Sequence, residues 1–293
     1  MSKFFNETQK ARQRAGNSAD PVRLDVISVM DAIKQEEVES TVPVEAPAPN
    51  ARQVRVDQSV SSLITGNIND NPLADPAVEA YRTLRTRVMR LQASKGIRSI
   101  MLTSAVPSEG KTVTSLNLAY SCAQLHNVRI LLVDGDLRSR GLTRLLGIPE
   151  GIGLSDVLSG KSSIDEARLP TEHSNLVVVG AGSTNGQPAE LFASPRWSEF
   201  IVWANQSFDV IIVDAPPIYS LADAELIGAG CDGALMVVRA LSTPRVMAEK
   251  CAGRLDKKKL MGIVFNGLPS SPENHYSYYG TPYGSNNGNN GKE

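Results

Sequence analysis

The run Ala105-Val106-Pro107-Ser108-Glu109-Gly110-Lys111-Thr112 carries the plainest chemical instruction in the chain. It follows the P-loop pattern with Ala in place of the first Gly, after an apolar run at Ser99–Thr103 and before a helical run at Ser115–Gln124. Backbone N–H groups of such a loop and of the helix that follows can surround phosphate oxygens. Lys111 can then reach the β- and γ-phosphates of ATP, and the Thr112 hydroxyl can ligate Mg²⁺. Ser108, Glu109, Gly110 and Val113 complete the expected nucleotide-binding segment.

Two further segments supply acid. Ile130-Leu131-Leu132-Val133 ends in Asp134-Gly135-Asp136-Leu137-Arg138, and Val210-Ile211-Ile212-Val213 ends in Asp214-Ala215-Pro216-Pro217. Each is an apolar strand that delivers a carboxylate at its C-terminal end. Ligands of open α/β sheets bind at the carboxyl ends of strands, so Asp134, Asp136 and Asp214 are expected to converge on the P-loop. Hard oxygen ligands beside phosphates suit Mg²⁺, which assigns the metal to Thr112, Asp136 and Asp214. Arg138 can pair with a carboxylate or with phosphate. Asn266, directly after the last apolar run, either contacts the adenine or forms a turn.

The elements that must position these residues are legible as an alternation. Apolar runs at Ser99–Thr103, Ile130–Val133, Leu176–Val179, Val210–Val213, Ala234–Val238 and Met261–Phe265 are separated by helical stretches. They are apolar on consecutive positions, as strands covered on both faces must be. The fold expected is an α/β P-loop NTPase, a mostly parallel sheet with helices on both faces. Ahead of it, Pro76 starts an amphipathic helix to about Gln92, with Tyr81, Leu84, Val88 and Leu91 on one stripe. Residues 1–70 read as a flexible extension with a short helix around Leu24–Glu39, residues 71–268 as the nucleotide-binding domain, and 269–293 as a disordered, Tyr-rich tail.

Of the 293 residues, 41% are hydrophobic, enough for a sizeable core; 30 basic against 31 acidic residues leave a net charge of −1. That balance offers no general attraction to nucleic acid or anionic lipid. Cys122, Cys231 and Cys251 form no CxxC pair and fit reduced, buried thiols. The N-terminus lacks a signal-like apolar core, and no uncharged run approaches the roughly 20 residues that a membrane span needs. A cytoplasmic protein is expected, meeting a membrane only through a partner. The run Lys257-Lys258-Lys259 is read as a solvated cluster at a helix C-terminus.

An apolar strand ending in Asp-x-Asp-x-Arg, beside a P-loop and an Asp-x-x-Pro strand, resembles the bacterial tyrosine kinases (BY-kinases) of capsular and exopolysaccharide systems. The likeness runs from about Asp75 to the C-terminus. It implies a protein-tyrosine autokinase that uses ATP and Mg²⁺, with Lys111, Asp134, Asp136 and Asp214 catalytic and Asp134 free to orient or deprotonate a tyrosine hydroxyl. Glu79-Ala80-Tyr81-Arg82-Thr83-Leu84-Arg85 looks like that family's Glu-x-x-Arg-x-x-Arg self-association helix, so Glu79, Arg82 and Arg85 are expected to build a ring-like homo-oligomer. Spacing alone equally allows Glu79 and Arg82 to pair with each other.

Four of the seven tyrosines, Tyr276, Tyr278, Tyr279 and Tyr283, lie in the tail and are the expected phosphoacceptors. The resemblance further implies a separate membrane polysaccharide co-polymerase as activator, at the inner membrane. A ParA/MinD-like ATPase switch is the alternative. Such switches carry a second lysine near the start of the P-loop, where this chain has Val106. Ser108 and Val113 depart from the kinase pattern, where Gly and Thr are usual; Ser108 restricts the loop if positive φ is required there.

Overall fold

The computed structural model describes residues 76–183, 187–219 and 222–268. The extension, with its expected helix at Leu24–Glu39, and the four tail tyrosines lie outside the described residues.

Helix α1 (Pro76–Lys95) begins at the expected proline and runs beyond Gln92. It stops at Gly96, whose φ of +67° needs no Cβ and whose N–H bonds the Gln92 carbonyl. Strand β1 (Ser99–Ser104) leads through the P-loop into α2 (Lys111–Ala123). Then come β2 (Ile130–Asp134), α3 (Gly141–Leu145), α4 (Leu154–Leu158), α5 (Ile164–Ala167), β3 (Arg168–Pro170) and β4 (Leu176–Val179). After α6 (Pro188–Ala193) and α7 (Pro195–Ser207) follow β5 (Val210–Asp214), α8 (Asp223–Gly230), β6 (Gly233–Arg239), α9 (Arg245–Ala252) and β7 (Leu260–Asn266).

The seven strands form one sheet in the order β3-β4-β2-β5-β1-β6-β7, parallel except for β3, which pairs antiparallel with β4. The six expected strands appear within a residue or two of their predicted ends. Every residue of β1, β2 and β5 is buried, which is why the interiors of those runs are apolar on consecutive positions. One core layer gathers Met101, Val133 and Ile211 with the α7 aromatics Trp197 and Phe200; the other packs Ile100, Leu132 and Ile212 against α1 and α2. All three cysteines are buried and free.

Two observations differ from expectation. Strand β3 was not foreseen, because three edge residues ending in Pro170 carry no period-2 signal. The lysine run does not end a helix: α9 stops at Ala252, and Lys257-Lys258-Lys259 occupies the turn before β7. Lys259 nevertheless meets a helix terminus, donating to the carbonyls of Gly228 (3.2 Å) and Ala229 (2.6 Å) at the end of α8.

The starts of β2 and β5 are tied by Arg129 and Asp209. Asp209 accepts from the Arg129 backbone N–H (2.9 Å), Nε (3.2 Å) and Nη2 (3.1 Å). Burial alone would raise its pKa, but these hydrogen bonds and the guanidinium charge bring it below the ordinary carboxylate value. The pair therefore stabilises fully above the unfolded carboxylate pKa, and that contribution disappears as pH falls through the lower folded value. Asp209→Asn is expected to lower stability by about 1 kcal/mol at neutral pH. Unfolding curves should show the difference from wild type closing in acid; a difference that widens in acid contradicts the assignment.

Candidate active site

The P-loop is shaped by two left-handed residues. Gly110 (φ +90°) caps α2 with no side-chain cap, leaving first-turn N–H groups directed at the loop's concavity. A Cβ at Gly110 would collide with the Asn266 side-chain amide, whose Nδ2 donates to the Glu109 carbonyl at 2.9 Å. Asn266 thus supports the P-loop from the end of β7. Ser108 also has positive φ (+66°), so the loop does require there the conformation that glycine adopts most readily. Non-glycine residues in this region cost roughly 1–2 kcal/mol. Ser108→Gly is expected to raise stability by up to about 1 kcal/mol, offset by the entropy that glycine adds to the unfolded chain. Thermal unfolding checks it, and a lower midpoint contradicts it.

The carboxylate of Glu109 is not turned toward a ligand. It is buried, with Oε2 accepting from the Val106 N–H (2.9 Å) and Oε1 from the Thr243 hydroxyl and the Arg239 N–H (3.4 Å). Its side chain therefore pins the loop to the β6 end of the sheet. Val113 lies half-buried on α2, accepting at its carbonyl from Asn117.

Parallel pairing brings the acids together. Strands β2 and β5 run in register with Asp134 directly beside Asp214, and Asp136 follows two residues on. Lys111 Nζ lies 2.9 Å from Asp136 Oδ2, 3.5 Å from Asp214 Oδ2 and 3.3 Å from Thr112 Oγ1. Thr112 Oγ1 donates to Asp214 Oδ2 at 2.7 Å, and Ser115 Oγ lies 3.2 Å from Asp214 Oδ1. Burial works against the Lys111 cation, yet the charges of Asp214 and Asp136 outweigh it and raise its pKa. Asp136 moves the other way: burial would raise it, and Lys111 with the Ser139 hydrogen bonds holds it low. Asp214, wholly buried, is raised first by desolvation, against the pull of Lys111 and Thr112.

Asp134 is not free. Its Oδ2 accepts from both the backbone N–H and the hydroxyl of Thr143, each at 2.7 Å, and its Oδ1 from the Asp136 N–H at 3.2 Å. A fully buried carboxylate must be satisfied this way. Burial, then the neighbouring Asp214 charge, pushes its pKa up to about 7 despite the Thr143 bonds. Thr143 in turn accepts from the Ala181 N–H at 2.8 Å, linking the acid to the loop after β4. No motif points to Thr143, nine residues beyond the acid on α3.

Arg138 pairs with the buried Asp223 at the start of α8 (Nε to Oδ2, 2.7 Å), which decides its role for structural pairing here. On α1, Glu79 and Arg82 do meet each other, at 3.5 Å, and Arg85 Nη1 donates to the Ser121 carbonyl near the end of α2 at 2.6 Å. Among the described residues no three His, Cys, Asp or Glu side chains form a metal cage. Thr112, Asp136 and Asp214 still fit Mg²⁺ by chemistry: one hydroxyl and two carboxylates beside a phosphate-binding loop are what this ion uses when phosphates supply the remaining oxygens.

A P-loop with such acids could serve several phosphate chemistries, and comparison with known proteins decides among them. Tyrosine-protein kinase YwqD of Bacillus subtilis is 36% identical over 205 residues, covering 69% of this chain and 86% of the relative. The chain belongs to the family of bacterial tyrosine-protein kinases. The tyrosine-protein kinase wzc of Salmonella typhimurium is 35% identical over 73% of this kinase, which spans 30% of that longer relative. The kinase domain of Escherichia coli tyrosine kinase ETK superposes with a TM-score of 0.64 at 30% identity, covering 73% of the chain and 83% of the domain. No family model matches the chain. The kinase is accordingly a P-loop protein-tyrosine kinase, and the reading as a ParA/MinD-like switch is set aside.

Proposed function

We propose that the kinase uses Mg²⁺-ATP to phosphorylate Tyr276, Tyr278, Tyr279 and Tyr283 of its own sequence, chiefly on a neighbouring copy within a ring-like oligomer. The observation that carries this reading is the convergence of Lys111, Thr112, Asp136 and Asp214 within 3.5 Å contacts at the P-loop. Bound Mg²⁺-ATP would supply the transferable phosphoryl group and the metal charge that neutralises it.

The chain's own residues do the rest. Backbone N–H groups at Gly110 and the start of α2 bind phosphate oxygens, and Asn266 and Glu109 keep that loop in place. Lys111, held by Asp136 and Asp214, would be freed toward the β- and γ-phosphates when nucleotide binds, and Thr112, Asp136 and Asp214 would hold the metal. Asp134 accepts the phenolic proton through Oδ1 or after release from Thr143. Phosphoryl transfer asks mainly for positioning and charge neutralisation, so a carboxylate with a pKa near 7 is a sufficient base.

Tethering favours transfer between copies: the acceptors begin ten residues past Asn266 at the end of β7, and a neighbouring copy's site is easier for them to reach than their own. Glu79, Arg82 and Arg85 are the proposed contacts between copies; Arg82 can exchange its partner within the helix for one across the interface, whereas Arg85 would have to leave Ser121. Each phosphate adds about −1.5 to −2 charges, so phosphorylated tails repel and the ring comes apart. No helix among the described residues is long and apolar enough to cross a membrane. Family membership supports a role in capsule or exopolysaccharide polymerisation or export, with a separate membrane co-polymerase as activator on the cytoplasmic side.

Mixing an intact Lys111→Met chain with an active chain ending at residue 268 tests transfer between copies. Phosphotyrosine on the inactive chain is expected; its absence, with the wild-type chain labelling itself alone, rules the transfer out.

A further inference from the structure

Tyr219 is the one exposed tyrosine among the described residues, with 46% of its surface accessible. It lies on the turn between Asp214 and α8, and its N–H bonds the carbonyl of Ala105, where the P-loop begins (3.3 Å). Two cations attend it. Lys250 on α9 places Nζ 5.8 Å from the ring centroid, and Arg254 just beyond α9 donates Nη1 to the Tyr219 carbonyl at 2.7 Å. Arg254 also gives Nε to Glu225 on α8 at 2.7 Å, which leaves other guanidinium donors over. An accessible phenol with a lysine over its ring, and an arginine held at the backbone of the same residue, has two cations within side-chain reach of a phosphate once it has one.

We propose that Tyr219 is a second phosphoacceptor of this kinase, outside the tail, with Lys250 and Arg254 as the receptors of its phosphate. This rests on the tyrosine-kinase activity but on none of the tail tyrosines. In the transfer, a bond forms between Tyr219 Oη and the γ-phosphorus, and the bond to the bridging oxygen of ATP breaks. ADP departs, and the phenolic proton passes to Asp134 of the phosphorylating copy and on to solvent. The added dianion draws Lys250 and Arg254 onto the ring's end, in competition with Glu225. The turn after Asp214 is thereby clamped to α9, and through the Ala105 carbonyl the clamp acts on the base of the P-loop.

The test uses full-length Lys111→Met chain as substrate and wild-type chain with Mg²⁺-ATP as enzyme, with phosphate mapped by mass spectrometry. Phosphate on Tyr219 as well as on the tail is expected. Labelled tails with no phosphate on Tyr219 overturn this inference and leave the kinase reading standing. No phosphotyrosine at any position overturns both. A second arm follows removal of the Tyr219 phosphate by an added tyrosine phosphatase. Lys250→Ala with Arg254→Gln should speed that removal about three- to tenfold while tail phosphates are removed at an unchanged rate. Equal rates at Tyr219 overturn the assignment of the two cations.

Discussion

Lys111→Met is expected to cut autophosphorylation by at least about 10²–10³-fold, the loss usual when a single charge stabiliser is removed from a transition state. Lys111 is the cation around which the site is organised, 2.9 Å from Asp136 and 3.5 Å from Asp214. Methionine fills the same volume without the charge. Two buried carboxylates then lose their shared counter-ion, which by itself would destabilise the fold. Asp214 already leans toward protonation through burial, so part of that penalty is relieved by its taking up a proton. The variant should fold with a somewhat lower unfolding midpoint, bind ATP weakly and transfer almost no phosphate. Radiolabel incorporation at saturating ATP checks it, and more than a tenth of wild-type activity would contradict the role.

Asp134→Asn should separate activity from stability. Asparagine preserves the shape and can accept the two Thr143 hydrogen bonds through its carbonyl oxygen, giving up only the longer bond from the Asp136 N–H, but it cannot take a proton. A loss of about 10²–10⁴-fold is the range for removing a positioned general base. The substitution also removes a buried charge that Asp214 disfavours, and a carboxylate whose pKa is raised on folding costs stability increasingly as pH rises above its unfolded value. The unfolding midpoint at neutral pH should therefore stay level or rise while activity falls. A variant that is both inactive and markedly destabilised would mean that Asp134 serves the fold and not the reaction.

Much of this architecture is legible in the residues themselves. Strands covered on both faces must be apolar throughout, so the runs ending at Asp134 and Asp214 mark both the middle of the sheet and the place where their acids emerge. Register makes those acids neighbours, since the strands they end lie side by side. What sequence could not disclose depends on contacts between distant segments. Thr143 grips Asp134 only because α3 folds back over the end of β2, and Glu109 turns inward because Thr243 and the Arg239 N–H, about 130 residues away, meet it there. The departure at Ser108 was legible as a type, but its strain shows only in the backbone angle. The lysine run misled for a related reason: α9 ends five residues before it, at a position that periodicity does not fix.

The central claim is that this cluster transfers phosphate from ATP to tyrosine hydroxyls of the kinase's own chain. The most direct measurement maps phosphate by mass spectrometry on purified wild-type and Asp134→Asn chains after incubation with Mg²⁺-ATP, with nucleotide binding measured in parallel. Phosphate on the Tyr276–Tyr283 cluster of the wild type, and its loss in a variant that still binds ATP, is the predicted result. ATP consumed by the wild type without phosphate on any tyrosine would contradict it.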